Sequence, residues 1–259
     1  RSQAKSGTTH FQGYATVSIV HNNQRYVLAL RCVEKGESME TIVAWLLKRL
    51  KSMEISIRYA YLDKGFCSVA VLKTLKRRKI GFVIPIPLRG KSGGVRTLFQ
   101  KFASYRTTYT FNSLKHGQLV VEAVVVKKYS KGRYKRKGMR WFAYAVGGLP
   151  KSIEPHQLFE MYRQRFGIET SYRQMNQVRA RTTSQNPVIR LLLVGLAFVI
   201  FNLYIASREH IAICSKNPLK PVSKYWLTLR RLAHMIAHAI QNLFGLADTV
   251  LRHAYFPFS

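Results

Sequence analysis

Two early stretches, Phe11 to Val20 and Gln24 to Val33, are runs of apolar and β-forming residues separated by the polar His21-Asn22-Asn23. Two β-rich runs joined by so short a polar link predict an antiparallel hairpin. Ser38 and Thr41 then open a segment in which Ile42, Val43, Leu46, Leu47 and Leu50 recur at helical spacing. Ile55 to Leu62 alternates, with Ile55, Ile57, Tyr59 and Tyr61 on one face, and closes in Asp63-Lys64-Gly65-Phe66. Val69 to Arg78 reads as a helix with Val71, Leu72 and Leu75 inward. Ile80 to Ile84 reads as a short apolar strand stopped by Pro85 and Pro87. The order β-β-α-β-α-β predicts an α/β layer structure with a partly parallel sheet.

From Leu88 to Gly138 the pattern changes. Turns rich in glycine (Gly90, Gly93, Gly94) separate strand-like pieces at Tyr105 to Phe111 and Leu119 to Val126, and a basic run follows from Lys127 to Lys137. This stretch predicts a β-rich insertion with an exposed basic loop. Trp141 to Val146 returns to a core strand. Pro155 opens one long helix to about Val178, Asn186-Pro187 interrupts the chain, and Val188 to Ser207 is a very apolar helix. Tyr225 to Leu251 reads as one or two amphipathic helices. The uncharged part of the apolar helix, Leu191 to Ser207, contains Asn202 and is shorter than the roughly 20 residues a bilayer core requires. It is expected to be a buried helix, and no membrane partner is expected.

Composition changes the picture in one respect above all. Lys and Arg number 43 against 11 Asp and Glu, a formal net charge of +32 spread along the whole chain of 259 residues. A folded chain so cationic repels itself, which points to a polyanionic partner. Hydrophobic content of 47% excludes wholesale disorder. Three dispersed cysteines, Cys32, Cys67 and Cys214, give no disulfide framework, and Arg1 to His10 is polar, without the apolar run of a signal peptide. A reducing, cytoplasmic compartment follows as an expectation.

The acid count narrows the chemistry. Asp63 and Asp248 are the only aspartates, so a carboxylate site must draw on these and on nine glutamates. Asp63 closes a predicted strand at its carboxyl end, where α/β sheets place their sites. Glu169 falls mid-helix, and its spacing from Tyr162 and Arg165 puts all three on one stripe that does not resemble a packing face. Each acid has an ordinary alternative. Asp63 would serve as a helix cap, and Glu169 would pair with Arg165 or Arg173 on a solvated surface. His234 and His238, one turn apart, lack the glutamate of a zinc-protease helix.

The run Tyr162-x2-Arg165-x3-Glu169 is similar to the tyrosine-arginine-glutamate-lysine signature of DDE-type insertion-sequence transposases of the insertion-sequence-four family. Tyr61-Leu62-Asp63-Lys64-Gly65-Phe66 looks like the second-aspartate motif of that family, and Lys5 to Phe11 resembles the segment after its first aspartate. The resemblance spans roughly Lys5 to Asn202. It implies a ribonuclease H-like mixed sheet flanked by helices. The core would be divided between residues 1–87 and 139–207, with the β-rich insertion at 88–138 and a helical region at 208–259. It also implies metal-dependent DNA strand cleavage and strand transfer, with two Mg²⁺ or Mn²⁺ ions and with Asp63 and Glu169 as catalytic metal ligands. Double-stranded DNA is the implied partner, with a homodimer as the form that paired DNA ends call for. Tyr162, Arg165, Arg173 and Asn176 would contact the cleaved strand. Lys127, Lys128, Arg133 and Lys135 would track the DNA backbone, interleaved with Tyr129 and Tyr134.

Two positions depart from the family pattern. No aspartate precedes Asp63, so the first metal ligand has no counterpart, and the expectation is a chain truncated at its N-terminal side. The final lysine of the signature falls on Asn176, flanked by Arg173 and Arg179. Two other functions stay open at this point: a catalytically inactive DNA-binding remnant, and a basic structural RNA-binding protein.

Overall fold

The computed structural model describes residues 12–21, 24–90, 92–100, 102–131, 137–214 and 226–245. Seven strands and six α-helices follow in the order β1 (Gly13–His21), β2 (Gln24–Val33), α1 (Met39–Ser52), β3 (Tyr59–Tyr61), α2 (Val69–Arg77), β4 (Gly81–Pro85), β5 (Tyr105–Ser113), β6 (Gly117–Lys131), β7 (Lys137–Gly147), α3 (Pro155–Arg163), α4 (Gly167–Met175), α5 (Pro187–Cys214) and α6 (Leu229–Phe244). The chain divides into two units, residues 33–167 and residues 1–32 with 168–259.

In the unit of residues 33–167, five strands lie in the order β3-β4-β7-β6-β5. β3 and β4 are parallel, with α2 as the intervening helix, and the other three pairings are antiparallel. This is the mixed sheet the pattern implied. Both faces are covered, which is why the central strands read as nearly continuous apolar runs. Phe82 and Ile84 of β4, Val121 and Ala123 of β6, and Ala143 and Ala145 of β7 face one cluster with Val43 and Leu47 of α1 and Val71, Leu72 and Leu75 of α2. The alternate residues Val83, Val124, Val126, Tyr144 and Val146 face a second cluster with Leu158 and Tyr162 of α3. The period of two thus assigns each strand residue to one helical layer or the other.

Local chemistry sets the ends of the elements. The Ser38 hydroxyl accepts from the Thr41 amide (3.1 Å) to cap α1, and Ser68 accepts from the Val71 amide (3.4 Å) to cap α2. The strand expected over Ile55 to Leu62 is only Tyr59–Tyr61. Residues before it finish α1 instead: the Ile55 amide returns to the Leu50 carbonyl (3.1 Å), and Glu54 takes a left-handed φ of 58°. Where β3 meets β4, the Tyr59 ring lies over Gly81. A Cβ at Gly81 would stand 2.6 Å from Tyr59 Cδ1, so the pairing needs glycine there.

Two further expectations need correction. The basic run is not a loop along its described part. Lys127 to Lys131 extend β6, and Lys137 opens β7, with Lys127 opposite Trp141 and Lys128 opposite Arg140. The single long helix after Pro155 is three pieces: α3, a 3₁₀ turn at Gln164–Phe166, and α4. A 3₁₀ turn advances three residues per turn, so it rotates the later residues off the stripe that simple helical spacing assigns.

In the other unit, β1 and β2 pair with each other. Only two residues separate them, which requires the antiparallel arrangement. Their residues Tyr14, Tyr26, Val27 and Leu30 share a cluster with Met175 of α4, with Val194, Ala197, Phe198 and Phe201 of α5, and with Leu229 and Leu232 of α6. The polar residue inside the apolar helix has a clear role here. Asn202 Oδ1 accepts from the Val27 amide (3.0 Å), and its Nδ2 donates to the Val27 carbonyl (2.8 Å), so the side chain completes the hydrogen bonding of β2. The buried-helix expectation holds for one face only. Leu192, Leu196, Val199 and Leu203 are exposed, and residues 187–211 are long and apolar enough by length and composition to cross a membrane.

Candidate functional site

Asp63 stands where β3 ends. The Leu62 amide still donates to the Val83 carbonyl of β4 (3.3 Å), and Asp63 itself is extended before the chain turns through Lys64–Phe66. Its carbonyl accepts from the Phe66 amide (2.9 Å), but its carboxylate caps nothing. The capping alternative therefore falls, and Ser68 takes that task for α2. The side chain is half-exposed at the carboxyl end of a parallel strand, and Oδ1 meets the Arg165 guanidinium at 3.2 Å.

Arg165 comes from the 3₁₀ turn that follows α3. Buried Leu158 and Tyr162 fix α3 against the sheet, and this carries Arg165 to the end of β3. Arg165 Nε donates to the Tyr162 hydroxyl (2.9 Å), which in turn donates to the Leu62 carbonyl (3.2 Å). The guanidinium carbon lies 5.6 Å from the centre of the Tyr162 ring and 5.3 Å from that of Phe166. Arg165 is thus held by a carboxylate, a hydroxyl and two ring faces, an arrangement that suits a planar fork of donors and not an ammonium. Tyr162 is only 2% exposed. Burial pushes its phenol up to about 12, against the pull of Arg165, so it remains a protonated donor at neutral pH.

The remaining sequence-predicted residues are placed as follows. Glu169 is exposed in the first turn of α4, and Arg173 is exposed in its last turn. Among the described residues no ion pair joins Glu169 to Arg173, so that ordinary alternative is not realised. Arg165, the other candidate partner, goes to Asp63. Asn176 is exposed just beyond α4, its amide bonded to the Tyr172 carbonyl (3.1 Å). Lys127 and Lys128 are engaged within the chain. Lys127 Nζ donates to the Phe102 carbonyl (3.0 Å) over the Trp141 ring, and Lys128 pairs with Glu160 (2.6 Å). That pairing, with help from Arg163, holds the Glu160 carboxyl below its ordinary range. Arg133 and Lys135, with Tyr134, lie outside the described residues, as does the Lys5 to Phe11 segment.

The sequence singles out Asp63, Tyr162 and Arg165 separately but misses their connection. The resemblance implies a contact of Arg165 with the cleaved strand, and in the structure it meets Asp63. The Leu62 carbonyl that anchors Tyr162 carries no sequence signal at all, because any residue presents a carbonyl.

An acid at a strand end is thus steadied by an arginine from the 3₁₀ turn that follows α3. The family profile for the transposase DDE domain matches residues 1–202 of the chain. The chain belongs to the transposase DDE domain family. No curated protein matches it. Transposases of this domain family act on DNA and generally use divalent metal ions. Asp63 offers the hard oxygen such an ion prefers, half-exposed, but its other oxygen lies beside a guanidinium that competes for the same charge. Among the described residues no three His, Cys, Asp or Glu side chains are grouped to hold an ion, the His234 and His238 pair included.

Proposed function

We propose that this chain is the DNA-cleaving and strand-transferring part of a transposase, in which Asp63 and Glu169 each serve as a ligand to Mg²⁺ or Mn²⁺. Such cations, when bound, polarise a phosphodiester and favour the attacking hydroxyl and the leaving oxygen. The division of the core into residues 1–87 and 139–207 around a β-rich insertion at 88–138, on a ribonuclease H-like plan, belongs to this reading. So does a DNA-bound homodimer acting in the cytoplasm. The observation that carries the proposal is the Asp63–Arg165–Tyr162 assembly at the end of β3, in a chain of this family. In it Asp63 is the candidate catalytic ligand. Arg165 holds Asp63 and presents its remaining N–H groups to a phosphate. Tyr162, buried, is a positioning residue, whereas Arg173 and Asn176, both exposed, contact the strand directly.

Two measurements test the reading. Fe²⁺ in place of Mg²⁺, with ascorbate and peroxide, should cut the backbone beside each ligand, at position 63 and at position 169. The first cut should vanish in Asp63→Ala and the second in Glu169→Ala. An intact backbone at both positions would overturn the assignment. With duplexes carrying the element's terminal repeats and Mg²⁺, either substitution should lower nicking by about a thousandfold, the scale on which a group acting in the transition state is missed. A second reading, a DNA-binding remnant that does not cleave, draws on Asn176 in place of the signature lysine. It predicts duplex binding with no metal-dependent nicking.

A further inference from the structure

After α4 the chain turns through Asn176–Val178, with the Arg179 amide on the Met175 carbonyl (3.1 Å), and runs without regular secondary structure to Asn186 before α5. This connection and β1 enclose a cleft of about 340 Å³ within the unit of residues 1–32 and 168–259. Its polar wall is Gln12, Tyr14, Arg179, Arg181, Thr182 and Arg190, and its floor is Leu193 and Val194 of α5. Three guanidiniums share this wall, and among the described residues no carboxylate lines it. Among the described residues the side chains of Arg179 and Arg181 have neither an ion pair nor a hydrogen bond, whereas Arg190 is steadied by one bond from Nε to the Ser184 carbonyl (2.5 Å). The Tyr14 hydroxyl donates to Gln12 Oε1 (3.0 Å), and both side chains line the cleft together with Arg179 and Arg190.

Like charges drawn together without an internal counter-ion cost free energy that an anion removes. We infer that this cleft is a seat for a backbone phosphodiester of nucleic acid, held by Arg179, Arg181 and Arg190. Thr182 and Tyr14 lie within its reach, and the sugar rests on Leu193 and Val194. Planar, forked donors match phosphate oxygens better than they match any neutral ligand. A wall of donors without an acceptor of matching pattern reads the backbone and not the base, so the seat positions the strand without choosing its sequence. This deepens the DNA reading of the preceding section and rests on it, but it does not depend on the carboxylates.

The test is binding of a fluorescent duplex of arbitrary sequence, titrated with salt in EDTA, so that cleavage and metal binding play no part. Arg179→Ala/Arg181→Ala is compared with Lys48→Ala/Arg49→Ala, an equal loss of charge on exposed residues of α1. Circular dichroism confirms that both variants are folded. Each phosphate that goes un-neutralised should flatten the slope of log K against log salt by about 0.9, so the cleft variant should fall short by about 1.8 and the control by less than half of that. Equal changes in the two variants would overturn the seat. So would a cleft variant that keeps the wild-type slope on DNA but no longer sediments with phosphatidylglycerol vesicles, because the phosphate recognised would then be that of a lipid. A positive result stands even if Asp63→Ala and Glu169→Ala leave nicking unchanged, so the two proposals fail separately.

Discussion

A guanidinium with only 14% of its side chain exposed is stable in a protein only when its charge is met. Arg165 meets Asp63, and Tyr162 joins both to the backbone at Leu62. Tyr162→Phe removes one hydroxyl and with it two bonds, leaving the Leu62 carbonyl and the Arg165 Nε unsatisfied at half-buried sites. The expected loss is about 1–2 kcal/mol of stability in urea unfolding, at unchanged m-value. A pH signature accompanies it. The folded phenol titrates at about 12 against an ordinary 10.0, so its contribution is complete below about pH 10 and fades as pH rises toward 12. Wild-type stability should fall over that window more steeply than that of Tyr162→Phe. Parallel curves would show that this phenol is not the group responsible. Burial also pushes the Cys67 thiol up to about 12. Iodoacetamide at about pH 8 should therefore modify half-buried Cys32 well before Cys67, as peptide mass mapping would show. Rapid labelling of Cys67 in the folded protein would contradict its burial.

Among the elements, α5 poses the sharpest contrast between composition and contact. Its apolar sequence alone says that a leucine at position 202 is an improvement. The hydrogen bonds say the opposite, because Asn202→Leu strands the amide and carbonyl of buried Val27. A loss of about 2–3 kcal/mol is expected by chemical denaturation. A neutral or stabilising result would mean that α5 does not depend on β2, as for a helix set in lipid. At the β3–β4 pairing, Gly81→Ala forces a methyl group into the Tyr59 ring. The expected cost is about 1–3 kcal/mol, and Tyr59→Ala in the same chain should relieve part of it, a coupling that a double-mutant cycle reads directly.

For the whole molecule, the net charge of +32 is the dominant fact. Only a few acids are available to offset it, and several of these are already committed to local pairs: Glu122 to Arg106, Glu160 to Lys128 and Arg163, and Asp63 to Arg165. Self-repulsion should therefore weaken the folded state at low ionic strength. Raising salt from about 0.05 M to about 0.5 M shortens the screening length several-fold, so it should raise the thermal midpoint, and duplex DNA at low salt should raise it further. A midpoint that falls with salt would mean that local pairs outweigh the global charge.

Elements whose hydrophobic period runs undisturbed were legible in the chain. α1, α2, α5, β4 and β5 lie where their patterns place them, because burial is written directly into spacing. Asp63, Tyr162 and Arg165 stood out in the chain as residue types, but Tyr162 packs into the core and Arg165 stands in a 3₁₀ turn, which helical spacing does not foretell. Other features were not local properties. Whether Lys127 to Lys131 form a loop or a strand depends on Arg140 and Trp141 across the ladder. The break of the helix at Gln164–Phe166 carries no proline or glycine of its own. The union of Asp63 with Arg165, and the gathering of Arg179, Arg181 and Arg190 around one cleft, require the chain to return on itself. Sequence determines which residues are apolar, charged or conformationally restricted. Only the tertiary structure decides which charges become neighbours, because an electrostatic partner is chosen by distance in space and not by separation along the chain.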